Sequence, residues 1–359
     1  MNLALVVHHY DRSEGTGGYV ARLLPRLVRH HEVTLYAAGF HTDVPASART
    51  VRVPALRGSA YATILSFPTA FRAVRRRHDL VHAQGWVAPA AEVVTTHIVL
   101  RAWREAARRA GVRSALGERW FGAAVERREE ALVRGARRVI APSRKVRDEL
   151  RRCYGREHGV SVLYHAFPDV SPDLPDRLKV RTAFRLPEDA FVALYVGDPR
   201  KGLEASLTAI ARTPDVFLAV ASRSPPKAYL ARAAELGIER QVRWLGRLHD
   251  ATPAYAAADA LLHPTIYDAF GLVVAEAMAY GVPPVVSGEA GITELIADGE
   301  SGILVPPNDP ELIAAALERL AGDPALRARL ARGARAVAQA RTWDHVALET
   351  LAVYEDAAS

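Results

Sequence analysis

Short apolar runs rich in β-branched residues alternate along the chain with longer segments of helical periodicity. Such runs, when they alternate with helices, are typical of parallel strands joined by helical crossovers. Predicted helices at 18–29 and 143–154 follow two of the runs directly. The first half of the sequence therefore predicts an α/β sheet whose strands lie at 3–7, 33–36, 80–82, 93–96, 139–141 and 160–163.

The alternation stops at 167–187, where Pro168, Pro172, Pro175 and Pro187 stand among acidic residues, so we predict a linker there. It then resumes, with helices between apolar runs at 192–196, 216–220, 242–245, 260–262, 284–286 and 302–305. Further helices are predicted at 310–321, at 324–340 and from Thr342 onward. The pattern predicts two Rossmann-like doubly wound domains facing a central cleft, at 1–166 and 167–340, followed by a helix at 341–359.

Length and composition agree with two globular domains. The chain has 359 residues, of which 50% are apolar and 24% charged, and this excludes disordered and fibrous classes. The formal net charge is +7, but residues 1–165 hold 28 Lys and Arg against 14 Asp and Glu, whereas the remainder holds 19 against 26. The basic surface therefore belongs to the first half.

The single cysteine, Cys153, excludes an intrachain disulfide and a multi-cysteine zinc site, and it fits a reducing compartment. No run of 18 uncharged apolar residues occurs, and the first residues lack the basic segment of a signal peptide. We expect a cytoplasmic protein, at most peripheral on the inner face of the plasma membrane.

Ligands of parallel sheets bind beyond the carboxyl ends of the strands, so functional side chains are expected in the loops that follow the strands. The first loop, 8–18, contains Gly15, Gly17 and Gly18 before a predicted helix, where backbone N–H groups can approach an anion. It is not a dinucleotide fingerprint, because Val20 occupies the position of the last glycine. A tight structural turn explains this loop equally well.

The second loop places Arg200 and Lys201 directly after the first strand of the second domain. Adjacent cations at a strand end can hold a diphosphate, and a solvated loop pair is an equally good interpretation before context is added.

The third loop carries Asp268, a helix start at Gly271 and Glu276 inside that helix. The first turn of a helix leaves N–H groups unpaired, here those of Gly271, Leu272 and Val273, and these can grip a phosphate. Carboxylates on either side accept hydrogen bonds from sugar hydroxyls, so the pattern suggests a nucleotide sugar. The alternative for Glu276 is a partly buried carboxylate paired with an arginine.

The segment 267–283 resembles the E-x7-E signature of retaining glycosyltransferases of family 4, which have the GT-B fold. Segments 242–264 and 298–305 are similar to the runs on either side of that signature. Segment 342–354 resembles the C-terminal helix of the family, which implies that it crosses back to the first domain. In general layout the chain is most similar to lipopolysaccharide core glucosyltransferases.

The resemblance implies that Glu276 binds the ribose, that Asp268 binds the donor sugar, and that Arg200 and Lys201 neutralise the diphosphate. It also implies that His97 contacts the donor sugar near the reaction centre. Asp268 stands where the family usually has Glu, and Asp198 stands where it usually has Arg, so the Arg role passes to Arg200. The remaining implied donor contacts are Gly17, Gly18, Arg247, Phe270, Gly271, Leu272 and Val273.

The activity implied is transfer of a hexose, with retention, from a nucleoside-diphosphate sugar to a glycan or lipid-linked acceptor in the cell envelope. UDP-glucose is the favoured donor and GDP-mannose the next. No cofactor is expected. We also expect no metal, because no Asp-x-Asp motif occurs in the chain. We expect a monomer or a dimer.

The stretch 98–138 contains 11 Arg against 5 Glu, with Trp103, Trp120 and Phe121 interleaved. It suits an anionic acceptor or a membrane surface, and the alternative is a solvated helical face with pairs such as Glu105 and Arg109.

Two other functions remain open. A nucleotide-sugar 2-epimerase of the same fold is one, although we find no additional acids near the sugar. A basic nucleic-acid-binding protein is the other, although no recognised motif appears.

Overall fold

The computed structural model describes residues 1–56, 60–112, 116–170 and 175–359, with backbone only at 60–61 and 116–120. The chain divides into two compact units. The first comprises Met1–His165 together with Trp343–Ser359, and the second comprises Ala166–Thr342.

The first unit contains a parallel seven-stranded sheet in the order β5-β3-β1-β6-β7-β8-β9, and a two-stranded sheet β2-β4. Its strands are β1 (Asn2–Val6), β2 (His9–Tyr10), β3 (Glu32–Ala37), β4 (Gly39–Phe40), β5 (Arg49–Arg52), β6 (Leu80–Gln84), β7 (Val93–Thr95), β8 (Arg138–Ala141) and β9 (Val160–Val162). Its helices are α1 (Gly15–Leu27), α2 (Ala60–Val74), α3 (Leu100–Arg109), α4 (Leu116–Gly135), α5 (Arg144–Tyr154) and the C-terminal α13 (Trp343–Ala358).

The second unit contains a parallel six-stranded sheet in the order β12-β11-β10-β13-β14-β15. Its strands are β10 (Phe191–Val196), β11 (Val216–Ala221), β12 (Val242–Gly246), β13 (Ala260–His263), β14 (Pro284–Ser287) and β15 (Ile303–Val305). Its helices are α6 (Arg177–Phe184), α7 (Leu203–Ile210), α8 (Lys227–Glu235), α9 (Thr252–Ala257), α10 (Leu272–Tyr280), α11 (Pro310–Gly322) and α12 (Pro324–Gln339).

The predicted α/β class with two doubly wound domains is confirmed. Central strands such as β1 and β10 are buried almost from end to end, because helices cover both faces of a parallel sheet. In each unit the strand order reverses beside the first strand, between β1 and β6 and between β10 and β13. These reversals are topological switch points, where a crevice opens at the carboxyl ends of the strands.

The C-terminal helix α13 belongs to the first unit. Trp343 and Tyr354 are 1% and 0% exposed, and the ring of Trp343 meets that of Tyr19 edge-on at 5.5 Å. The apolar stripe that marks this helix in the sequence therefore faces the core of the first unit.

The prediction of a linker over 167–187 is wrong for its second half. Residues 177–184 form α6, whose Arg181 is 1% exposed. The guanidinium of Arg181 donates to Asp259 at 2.7 Å and to the carbonyl oxygen of Ala257 at 3.0 Å. The prolines of this segment predicted a break in regular structure. The hydrogen bonds of the buried Arg181 instead anchor the segment to the rest of the second unit. Pro172 lies outside the described residues.

Within the described ranges, no helix combines the length and apolar character needed to cross a membrane.

Candidate functional site

The second unit places its charged candidates at its switch point. Lys201 lies in the loop after β10, and Asp268 lies in the loop after the neighbouring strand β13. Because β10 and β13 are adjacent and parallel, their carboxyl ends meet at one edge of the sheet. The Nζ atom of Lys201 lies 2.6 Å from Oδ2 of Asp268, so the structure joins two residues that are 67 positions apart.

Gly202 makes this approach possible. Its φ angle is +104°, and a Cβ there would lie 2.9 Å from the carbonyl carbon of Pro264 and closer still to its oxygen. The turn carrying Lys201 therefore packs against the backbone that follows β13 without an intervening side chain.

Asp268 is surrounded by groups that favour its ionised form. Nε2 of His263 lies 3.2 Å from the same carboxylate oxygen. Burial alone would raise the pKa of Asp268, but the Lys201 ammonium and the His263 imidazole outweigh it and hold that pKa well below its usual range. The Asp268 backbone is also fixed, since its N–H donates to Glu289 and its carbonyl accepts from Gly291, at 3.0 and 3.1 Å.

Arg200 has a different partner. Its guanidinium donates to both carboxylate oxygens of Asp198, from Nη2 at 2.7 Å and from Nε at 3.1 Å, and 61% of its side chain is exposed. Burial would raise the pKa of Asp198, yet its hydrogen bonds with Arg200 hold that pKa below the usual value. The two adjacent cations thus occupy separate ion pairs.

Glu276 lies on the second turn of α10 and is half buried. The hydroxyl of Tyr255 donates to its Oε2 at 2.9 Å, and the Tyr255 ring stacks on Tyr280 at 5.4 Å. The helix begins after Gly271, whose φ of +107° strongly favours glycine. The N–H groups of the first turn of α10 lie between Asp268 and Glu276 in the chain. Such unpaired N–H groups at a helix start can bind an anion.

The other predicted donor contacts of the second unit occupy varied settings. Phe270 is 2% exposed, so its ring belongs to the core and only its backbone could serve a ligand. Leu272 and Val273 are half buried in the first turn of α10. Arg247 is exposed just beyond β12, an edge strand of the sheet.

In the first unit, His97 lies two residues beyond β7. Its Nε2 lies 2.8 Å from Oε1 of Gln84, and its ring lies 5.1 Å from that of Tyr19 and 5.7 Å from that of His165. Burial lowers the pKa of His97 to about 4, so the imidazole is neutral at physiological pH.

Gly17 and Gly18 lie in the first turns of α1. A Cβ on Gly17 would lie 2.6 Å from the carbonyl oxygen of Asp11, and one on Gly18 would lie 2.9 Å from that of Arg12. Close packing against the protein's own loop therefore explains both glycines structurally, without a ligand.

Some charges of the arginine-rich stretch are paired within the first unit. Arg101 and Arg104 both pair with Glu126, at 2.7 and 2.6 Å, and Glu105 pairs with Arg152 at 2.6 Å. Arg108 and Arg109 are exposed on α3 and Arg127 and Arg128 on α4. Residues 113–115 and the side chain of Trp120 lie outside the described residues.

Four polar partners of the candidate residues were not predicted as site residues: His263 beside Asp268, Asp198 beside Arg200, Tyr255 beside Glu276, and Gln84 beside His97. A histidine or glutamine at the end of an apolar strand is the only signal that the sequence offers for two of them.

Two family models match the chain. Residues 13–169 match the family described as "Glycosyltransferase Family 4", and residues 176–337 match the family described as "Glycosyl transferases group 1". A D-inositol 3-phosphate glycosyltransferase from Streptomyces bingchenggensis is 33% identical over 249 residues. That match covers 64% of this chain and 55% of the relative, so the chain spans about half the length of the curated relative it matches.

Solved structures share the fold over nearly the whole chain. Sucrose-phosphate synthase from Thermosynechococcus elongatus has a TM-score of 0.84 at 24% identity, covering 99% of this chain and 98% of that one. WaaG, a glycosyltransferase involved in lipopolysaccharide biosynthesis, has a TM-score of 0.79 at 22% identity, covering 97% and 98%. The Anabaena protein HepE in complex with UDP-glucose has a TM-score of 0.74 at 19% identity, covering 98% and 99%.

Proposed function

We propose that this chain is a glycosyltransferase that transfers a hexose, with retention, from a nucleoside-diphosphate sugar, since its two halves match glycosyltransferase family models and its fold is shared with solved glycosyltransferases. The acceptor proposed is a glycan or lipid-linked molecule of the cell envelope. The observation that carries the proposal is the Lys201–Asp268 ion pair, which lies at the switch point of the second unit just before the N-terminus of α10.

Each charged group has a role that its surroundings support. The Lys201 ammonium has three N–H donors, so it can keep its bond to Asp268 while another donor binds a phosphate oxygen. With Arg200 and the first turn of α10, it supplies positive potential for the departing nucleoside diphosphate. Asp268 accepts from hydroxyls of the sugar, and Glu276, oriented by Tyr255, accepts from those of the ribose.

We propose that the transfer needs neither a metal nor a covalent enzyme intermediate. The leaving phosphate takes the proton of the acceptor hydroxyl, and the fixed cations replace the charge that a metal would supply. Transfer unaffected by EDTA supports this, whereas a loss of activity that Mg²⁺ or Mn²⁺ restores contradicts it.

UDP-glucose is the donor we favour, with GDP-mannose next. The HepE complex with UDP-glucose supports this choice through the shared fold. Thermal unfolding of the protein with UDP, GDP and ADP separates the bases, because a ligand that binds only the folded state raises the melting temperature. The largest shift is expected with UDP, and a larger shift with GDP would make mannose transfer the better hypothesis.

For the acceptor we propose an anionic molecule at the inner face of the plasma membrane. The support is the group of exposed arginines on α3 and α4, Arg108, Arg109, Arg127 and Arg128, which form no ion pair among the described residues. Co-sedimentation with anionic vesicles at low salt is expected, and its absence would remove the membrane from the proposal.

His97, Gly17 and Gly18 of the first unit complete the proposal. We assign His97 to the donor sugar and the two glycines to the donor phosphates, in line with the family resemblance. Replacement of His97 by Ala is expected to lower kcat, and an unchanged kcat would remove it from the reaction.

The principal test replaces Glu276 and Lys201 by Ala, one at a time. Each variant is expected to lose transfer from UDP-glucose while keeping a wild-type circular dichroism spectrum and cooperative unfolding. Lys227→Ala and Glu318→Ala are matched controls, since both residues are exposed on other helices of the same unit. Wild-type rates in Glu276→Ala or Lys201→Ala would end the assignment.

A further inference from the structure

A continuous series of hydrogen bonds, buried except at its His97 end, leads from the C-terminal helix to His97. The hydroxyl of Tyr354 lies 2.7 Å from Nδ1 of His82, whose Nε2 lies 2.7 Å from the Thr95 hydroxyl and 3.1 Å from the amide nitrogen of Gln84. The amide oxygen of Gln84 lies 2.8 Å from Nε2 of His97. We term these five residues the histidine chain.

The strands explain why these residues meet. His82 and Gln84 are two apart on β6 and share a face of the sheet, and Gln84 is the register partner of Thr95 on β7. His82, Gln84, Thr95 and Tyr354 are each at most 2% exposed, so water cannot replace a missing partner without cost.

The amide of Gln84 gives the histidine chain a direction. As the amide is oriented in the structure, its oxygen faces His97 and can only accept, so Nε2 of His97 carries the hydrogen in this arrangement. In the same orientation the amide nitrogen faces His82 and can only donate, so Nε2 of His82 accepts with its lone pair, and the Nδ1–H of His82 donates to Tyr354. The Thr95 hydroxyl donates to the same lone pair.

We infer that Gln84, His82 and Tyr354 are positioning residues that hold His97 as the Nε2–H tautomer, with Nδ1 left as the hydrogen-bond acceptor. The inference rests on the proposed function only for its catalytic consequence. When Nε2–H of a neutral His97 donates to Gln84, only Nδ1 is left to contact a sugar hydroxyl. Nδ1 then accepts a hydrogen bond from that hydroxyl.

The opposite orientation of the Gln84 amide is the competing arrangement. With the amide reversed, His97 would carry its hydrogen on Nδ1, and His82 would carry it on Nε2 and accept from Tyr354. The two arrangements predict opposite tautomers for both histidines, and the imidazole ¹⁵N chemical shifts distinguish them.

The experiment measures the imidazole ¹⁵N shifts of the full chain, without substrate. The signals of His97 are assigned by their disappearance in His97→Asn, because the chain has 13 histidines. Wild type is expected to show His97 protonated at Nε2. In Gln84→Met, which keeps the bulk and removes the amide, the two tautomers are expected to mix. In Gln84→Glu, which keeps an oxygen facing Nε2, the Nε2–H form is expected to return.

Tyr354→Phe tests the end of the histidine chain that is opposite to His97, and Tyr36→Phe is its matched control. Tyr36 is equally buried in the same unit, and its hydroxyl lies 2.9 Å from Nε2 of His78, outside the histidine chain. Each variant loses one Tyr–His hydrogen bond, and Tyr36→Phe also loses the bond that the Tyr36 hydroxyl accepts from the backbone N–H of Arg76 at 3.2 Å, so its loss of stability is expected to be at least as large. Only Tyr354→Phe is expected to change the His97 signals.

Kinetics with the donor sugar supply the second readout. Gln84→Met is expected to lower kcat about 10- to 100-fold with little change in KM, since small misplacements of a reacting group have effects of this size. Tyr354→Phe should cause a smaller loss in the same direction, and Tyr36→Phe none.

Two results overturn the inference: an Nδ1–H tautomer of His97 in wild type, or His97 signals in Gln84→Met that are the same as in wild type. An unchanged kcat in an active Gln84→Met enzyme overturns its catalytic consequence. If wild type transfers no sugar but shows the expected tautomers, the proposed function fails and the positioning role of the histidine chain stands.

Discussion

Gly202 lies where two backbone segments of the second unit meet. Its φ of +104° is unfavourable for any other residue, and its missing side chain lets the Lys201 turn rest on Pro264. Gly197, five residues earlier, also has a positive φ, of +123°, but a Cβ there would meet nothing within 4 Å. Substitutions at Gly197 and Gly202 therefore distinguish the effect of backbone strain from the effect of a steric clash.

Gly202→Ala is expected to destabilise the protein more than Gly197→Ala. Both substitutions cost about 1–3 kcal/mol for the positive φ, and the clash with Pro264 adds about 1–3 kcal/mol at position 202. Urea unfolding measures the difference. Donor binding should weaken in Gly202→Ala alone, because the clash moves Lys201 away from Asp268. Equal effects of the two substitutions would show that contact with Pro264 does not matter.

Helices α3, α4 and α5 of the first unit meet at a buried carboxyl group. Glu129, 3% exposed on α4, accepts from the backbone N–H of Leu100 at 2.8 Å and from the hydroxyl of Tyr154. Burial raises the pKa of Glu129 to about 7, against the stabilising effect of those hydrogen bonds. The side chain therefore gains its proton on folding in weakly acidic solution.

This raised pKa sets a pH dependence of stability. In the unfolded chain Glu129 titrates near 4.5, so between pH 4.5 and 7 the folded state binds the extra proton. Its contribution is complete below pH 4.5 and is lost as the pH rises to 7, by about 1.4 kcal/mol per pH unit. The lowered pKa values of His8, His82 and His97 act in the opposite direction over part of this range.

Comparison of wild type with Glu129→Gln isolates the effect, because the histidines are common to both. The free energy of unfolding of wild type, relative to the variant, is expected to fall from pH 5 to pH 7 and then level off. Glu130→Gln serves as the control, since Glu130 is the next residue of α4 and pairs with Arg101 and Arg134. If the difference in free energy of unfolding between wild type and Glu129→Gln does not change with pH, the pKa of Glu129 lies near its ordinary value.

On the scale of the whole molecule, the two units differ in how the chain builds them. The second is one continuous segment, Ala166–Thr342, whereas the first needs the distant helix α13. That helix contributes Trp343 and Tyr354, both buried. Loss of a buried large aromatic residue costs about 3–5 kcal/mol, which is comparable with the whole stability of many domains.

Residues 166–342 are accordingly expected to fold alone, and residues 1–165 are not. Joining 343–359 to 1–165 through a flexible linker should restore cooperative unfolding, measured by circular dichroism and amide hydrogen exchange. The control fusion carries Ser in place of Trp343, Val346 and Tyr354. Cooperative unfolding of 1–165 by itself would show that α13 is dispensable for the first core.

Local patterns in the sequence were enough to predict the architecture and to mark most candidate positions. Alternating apolar runs and amphipathic segments are local patterns, so they placed the main strands and predicted two doubly wound sheets. Spacing placed Asp268, Gly271 and Glu276 around one helix start, because those residues are neighbours in the chain. The same local reasoning failed at α6, where a buried arginine bonded to distant backbone, and not an apolar stripe, fixes the helix.

The tertiary structure alone decided which candidates are partners. Lys201 pairs with Asp268 and Arg200 with Asp198, although the two cations are adjacent in sequence. Strand order brings the loops after β10 and β13 together, and that order depends on contacts far apart in the chain. The histidine chain likewise joins Tyr354 to His82 across 272 positions, a separation at which no local pattern carries information.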